Sequence, residues 1–182
     1  MVAESYEFDP VDWVTAGAMG EPGARTFYIQ ARRGAELISL VLEKGQVASL
    51  SQLAQQLLAR VDVTVVPDDL DVNAQGLVEP AEPAWRVGEL SLGMDEDGTR
   101  FVLEATELPL VEDLEADDAS GADEPAVARL YMDRAQLVAL AAHAAFSVEA
   151  GARERCRLCG RPIDPVAGHV CPATNGHGPL SR

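Results

Sequence analysis

Lysine is almost missing from this 182-residue sequence: a single Lys44 stands beside thirteen arginines, and these fourteen basic residues face thirty acidic ones. The resulting formal charge of −16 argues against sequence-independent binding to a phosphate backbone, which draws most of its affinity from Lys and Arg. No stretch approaches the roughly 18 apolar residues that a spanning helix needs, and Met1 to Asp12 shows no basic start followed by an apolar run. A soluble, cytoplasmic protein is therefore expected. Cysteine is scarce too, with three residues near the C-terminus. An odd number cannot complete a disulfide framework, and the spacing suits a metal better. No glycine-rich phosphate loop, Gly-x-Ser-x-Gly elbow or Cys/His nucleophile pair outside the tail is present. An enzyme would need its residues scattered along the chain.

What is present suffices for a folded body. The hydrophobic fraction of 47% is ordinary for a globule, and the length allows one main domain with a small appendage. Charge divides the two. Residues 1–150 hold 9 basic and 28 acidic residues, whereas residues 151–182 hold 5 basic and 2 acidic. An acidic body at 1–150 and a mildly basic tail at 151–182 are the expected domains.

The body looks duplicated. Leu40-Val41-Leu42-Glu43-Lys44-Gly45-Gln46-Val47 returns ninety residues later as Leu130-Tyr131-Met132-Asp133-Arg134-Ala135-Gln136-Leu137. In both copies an apolar run meets an acid, a base, a small residue and a glutamine before a helical pattern opens. Asp133 with Gln136 fits a capping box, and Glu43 with Gln46 is a weaker version. Upstream, β-branched and aromatic residues alternate around a turn at Gly20 to Gly23, giving a hairpin over 11–33, and Glu36 to Leu42 is a covered strand. Val47, Leu50, Leu53, Ala54, Leu57 and Leu58 place one apolar face on a helix ending near Arg60. After a Pro-, Asp- and Gly-rich loop from Pro67 to Pro83, strands at 84–92 and 100–105 flank a turn at Asp95 to Gly98, and a second helix runs from Arg134 to about Glu149. Phe27 and Ala31 match Phe101 and Ala105 at an offset of 74, so the second copy carries an acidic insertion at about 106–125, expected to be a mobile, solvated loop. The predicted fold class is α+β. Duplicated β-β-β-α units, at about 11–62 and 84–150, form one or more antiparallel sheets covered by two helices.

The tail carries the definite chemistry. Cys156-x2-Cys159-Gly160 is a tight knuckle that aims two thiolates at one ion, and His169 with Cys171 supplies a second pair. Cys156, Cys159, His169 and Cys171 make a closed tetrahedral set for structural zinc, with no open position for water. His177 is an alternative fourth ligand. His169 is preferred because it lies within the Pro- and Gly-bounded loop, whereas His177 sits in a Gly-rich end.

With these residues in hand, a resemblance can be named. The tail pattern from Cys156-x2-Cys159-Gly160-x-Pro162 to Gly168-His169-x-Cys171-Pro172, behind a duplicated acidic α+β body, resembles a domain-of-unknown-function family of actinobacterial proteins. The resemblance covers essentially the whole chain and implies no particular activity. It implies a gene neighbourhood holding a phosphomutase-like and a kinase-like protein, a hint about partners.

Other features read as structural. His143 lies off the centre of its helix's apolar stripe, as a boundary histidine does. The acidic insertion lacks the spaced pattern of a calcium loop. Trp13, Tyr28, Trp85 and Tyr131 could form a base-stacking face, but without the positive groove that single-strand binders pair with one. The leading expectation is a non-enzymatic binding or adaptor protein with a protein partner. The alternatives are a nucleic-acid factor using Arg153, Arg155, Arg157 and Arg161, and an enzyme or metabolite-binding protein with a pocket between the two repeats.

Overall fold

The computed structural model describes residues 3–21, 23–61, 76–109, 124–150, 156–159, 163 and 171. Its strands are β1 (Tyr6–Phe8), β2 (Trp13–Met19), β3 (Thr26–Arg33), β4 (Glu36–Leu42), β5 (Trp85–Met94), β6 (Phe101–Glu107) and β7 (Val127–Met132). Two helices of equal length, α1 (Lys44–Arg60) and α2 (Arg134–Ala150), follow β4 and β7. From β2 onward the order is β-β-β-α, then β-β-β-α again. The proposed acidic insertion and most of the Pro67 to Pro83 loop lie largely outside the described residues.

Within each triplet the pairing is antiparallel and in close register, Ile29 opposite Leu40 in one and Leu103 opposite Leu130 in the other. The expectation of antiparallel sheet holds there. At two junctions it does not: β4 meets β5 in parallel, Leu40 opposite Trp85, and β1 meets β7 in parallel, Phe8 opposite Leu130. All seven strands thus join in the order β1-β7-β6-β5-β4-β3-β2. The two ends of that order are one stretch of chain, for only residues 9–12 separate β1 from β2. Consecutive amides there reach opposite ways, Val11 N to the Tyr131 carbonyl and Asp12 N to the Arg32 carbonyl, both at 2.9 Å. The sheet closes into a ring. Strand β1 has only three residues, too few for a period-2 pattern to reveal it in the sequence.

Strand β5 also serves two neighbours, β4 with its first residues and β6 with the rest. The change of partner comes with a bulge between Val87 and Glu89. Gly88 sits in that bulge, where a Cβ would lie 3.0 Å from the Leu108 Cα and 3.2 Å from the Glu107 carbonyl oxygen, so backbone passes close by.

Alternation along the strands fills the ring. Phe27, Ile29, Ala31, Leu40, Leu42, Phe101, Leu103, Ala105, Leu130 and Met132 are all buried in one cluster. Helix α1 adds Val47, Leu50, Ala54 and Leu58 at three- and four-residue steps, and α2 adds Leu137, Leu140, Ala141 and Ala144. Each helix starts at a reciprocal cap. Gln46 Oε1 accepts the Glu43 amide at 2.8 Å. Gln136 Oε1 accepts the Asp133 amide at 2.9 Å, while Asp133 Oδ1 accepts the Gln136 amide at 2.9 Å. The same glutamines then reach across the ring. Gln46 Nε2 donates to the Val87 carbonyl at 3.1 Å and Gln136 Nε2 to the Val11 carbonyl at 2.9 Å, the points where β5 and the β1–β2 stretch change partners.

One glutamine is wholly internal. Gln30 on β3 is fully buried because residues 76–79 pass over it. Its Nε2 donates to Ser39 Oγ and to the Val78 carbonyl, each at 3.0 Å, and its Oε1 accepts the Val78 amide at 2.7 Å. The side chain therefore pairs with a backbone residue as a strand would. Beside it Leu77 occupies the space over Gly17, where a Cβ would come within 2.7 Å of Leu77 Cγ.

Candidate metal centre

The only group of metal-ligand side chains close enough to share an ion, among the described residues, is Cys156, Cys159 and Cys171. Their sulfurs all lie within 4.8 Å of one another. Cys156 begins a turn that brings Cys159 back beside it, and Cys171 arrives from fifteen residues on, its Sγ 3.7 Å from that of Cys156. A disulfide would need about 2.05 Å, so these are separate thiols. A zinc–sulfur bond of about 2.3 Å in tetrahedral geometry sets neighbouring sulfurs about 3.8 Å apart, which the 3.7 Å separation matches.

The electrostatics agree with the geometry. Backbone amides of Cys159 and Leu158 hydrogen-bond to the Cys156 sulfur and hold its thiol below the usual cysteine range, assisted by the neighbouring Cys171 and Cys159 side chains. Cys156 and Cys171 are buried and Cys159 is half-buried. A buried thiolate cluster with amides aimed at sulfur is suited to a soft or borderline cation.

Three of the four ligands expected from the sequence thus come together. His169 lies outside the described residues, as does the alternative His177, and so do Arg153, Arg155 and Arg161.

The remaining candidates are placed differently from their sequence reading. His143 is 5% exposed and lies 2.9 Å, Nδ1 to Oγ1, from Thr15 on β2, so it belongs to the core and not to a boundary. Desolvation lowers its pKa. The four aromatics do not make one platform. Trp85 is buried, with Nε1 donating to the Glu4 carbonyl at 3.0 Å. The guanidinium of Arg32 covers Trp13 and that of Arg100 covers Tyr131. Sequence reasoning also missed a cavity of about 280 Å³ against β2, lined by Arg25 and Glu79 from distant parts of the chain. Nothing in their spacing, fifty-four residues apart, could have linked them.

No helix among the described residues is long and apolar enough to cross a membrane. No curated protein and no solved structure matches the chain. A family model does: the chain belongs to the family described as protein of unknown function (DUF3090), which matches residues 6–171, from the first residue of β1 to the last cysteine of the cluster.

Proposed function

We propose that this member of a family of unknown function is a non-enzymatic binding or adaptor protein whose C-terminal segment folds around one structural zinc ion. The observation that carries the reading is the Cys156, Cys159 and Cys171 cluster, with its 3.7 Å sulfur separation. Three thiolates and one imidazole, from His169, would fill all four positions of a tetrahedral site. No position remains for water or substrate, so the ion holds the fold and performs no hydrolysis. Residues 151–182 are too few to bury a core of their own, and metal binding supplies the missing folding energy. In this reading residues 1–150 form a separate, internally duplicated body. The tail takes a protein partner, in the cytoplasm, where thiols stay reduced.

The test is elemental analysis of the untagged protein beside Cys156→Ser and His169→Ala. About one zinc per chain, lost in both variants, is expected. A reduced preparation without metal would remove the reading, and retention in His169→Ala alone would move the fourth ligand to His177. Pull-down with the intact chain and with Cys156→Ser should give a stoichiometric protein partner that the variant loses.

A further inference from the structure

The cavity beside β2 lies far in sequence from the cysteine cluster, and its described walls come from three separate parts of the chain. Met19 and Arg25 flank the β2–β3 turn, Leu77 and Glu79 come from the segment clamped by Gln30, and His143 and Phe146 come from α2. Its volume of about 280 Å³ is that of a small metabolite and too little for a nucleotide or a peptide helix.

Three observations say what chemistry fits. First, the Nε of Arg25 is buried, although the residue as a whole is half-exposed, and among the described residues that nitrogen has no hydrogen-bond partner and Arg25 joins no ion pair. A buried Nε–H left open calls for an acceptor, and the planar fork of a guanidinium matches a carboxylate. Second, the exposed Glu79 lines the same cavity and forms no ion pair with Arg25, so one space holds charges of opposite sign that are not paired with each other. Third, Leu77, Met19 and Phe146 give the space an apolar side, with Phe146 52% exposed although it is the largest side chain on that part of α2. The net charge of −16 repels a free anion at long range but exerts no such force on a molecule whose charges cancel.

We propose that this cavity binds a small α-amino acid with an apolar side chain, its carboxylate on the Arg25 guanidinium, its ammonium facing Glu79 and its side chain against Leu77 and Phe146. His143 forms polar lining held in place by Thr15, and it exchanges no proton with the ligand. The site uses residues of the body alone, so it stands or falls independently of the zinc reading.

The experiment titrates the full-length protein by calorimetry and by amide chemical shifts with L-leucine, L-methionine and L-phenylalanine. Two analogues of leucine serve as controls, 4-methylpentanoate without the amine and 3-methylbutylamine without the carboxylate. At least one amino acid should bind and shift the Leu77 and Phe146 resonances, with both leucine analogues at least tenfold weaker than leucine. Arg25→Gln should weaken binding tenfold or more, and Glu79→Gln should weaken the amino acid while leaving 4-methylpentanoate unchanged. The proposal is overturned if no amino acid binds at millimolar concentration, or if 4-methylpentanoate binds as well as leucine. It is equally overturned if Arg25→Gln binds as wild type does. The analogue comparison uses only the wild-type chain and stands even if a variant fails to fold.

Discussion

Ser51 Oγ on α1 donates a 3.0 Å hydrogen bond to the Ala141 carbonyl on α2, and the two residues are ninety positions apart. That is the offset at which Gln46 and Gln136 cap their helices and at which Leu40 and Leu130 stand opposite Trp85 and Phe8 across the two parallel junctions. The helices therefore touch at matching points of their lengths, and both positions are nearly sealed from solvent.

This contact should be sensitive to size more than to the hydrogen bond. Ser51→Ala removes the bond to the Ala141 carbonyl, which sits within a helix, and a longer 3.3 Å bond accepted from Gln55 Nε2, and should cost about 1 kcal/mol. Ser51→Leu inserts extra atoms between two closely packed helices and should cost about 1–3 kcal/mol. Urea unfolding of the two variants, followed by circular dichroism, gives the order directly. A larger loss for alanine would contradict it.

The Gln30 clamp should govern how firmly residues 76–79 are held. Gln30→Leu removes the bonds to the Val78 amide and carbonyl, both only part-buried, at about 1 kcal/mol for each. The expected result is faster hydrogen exchange at Val78 and earlier proteolysis in this segment, with the melting temperature of the ring falling less. Unchanged exchange at Val78 would show that Leu77 over Gly17 suffices.

Two groups should make stability fall with acid, in separate windows. Burial lowers the His143 pKa below its usual 6.5, so the unfolded chain takes up a proton first. Stability is complete above pH 6.5 and declines as pH drops below it. His143→Gln should flatten the slope between pH 7 and 5.

Asp95 lies lower. The Arg100 amide, followed by the Thr99 amide and both side chains, holds its carboxyl down at about 2. The unfolded value is about 3.9, so its contribution is complete above that pH and is lost as pH falls toward 2. Asp95→Asn should remove this part of the acid dependence, read as the urea midpoint at pH 5 against pH 3.

Chelation offers a test of domain independence. Treating the reduced protein with a strong zinc chelator should release about one equivalent of metal and leave the unfolding transition of the ring in place. Loss of the transition together with the metal would mean that the ring leans on the tail.

Much of this arrangement was legible in the sequence because it rests on local signals. Both helices, both hairpins and the cap at Asp133 follow from period, turn residues and an acid three positions before a glutamine. The Cys-x2-Cys knuckle and Cys171 were legible because thiol spacing is itself the chemistry. What was not legible depends on long-range pairing. Three residues at Tyr6–Phe8 carry no pattern, yet they join β7 and turn two antiparallel triplets into one closed sheet. His143 was misplaced for a related reason. Helix α2 packs against both α1 and β2, so its buried surface is wider than one stripe, and alanines at many positions give no polar margin to read. The cavity depends on the Gln30 clamp bringing residues 77 and 79 to the same space as Arg25, which no pattern within the sequence describes.

The ring closure also orders events at the ribosome. Phe8 finds its partner only at Leu130, so a nascent chain released as far as residue 110 presents β3 and β4 fully paired but leaves its first strand waiting. Until β7 emerges, the growing sheet has open edges that could pair with another chain. Completion depends on a contact spanning most of the body, and such contacts slow the final step of folding. Synthesis of the last strand therefore ends the interval in which this protein is most exposed to its own copies.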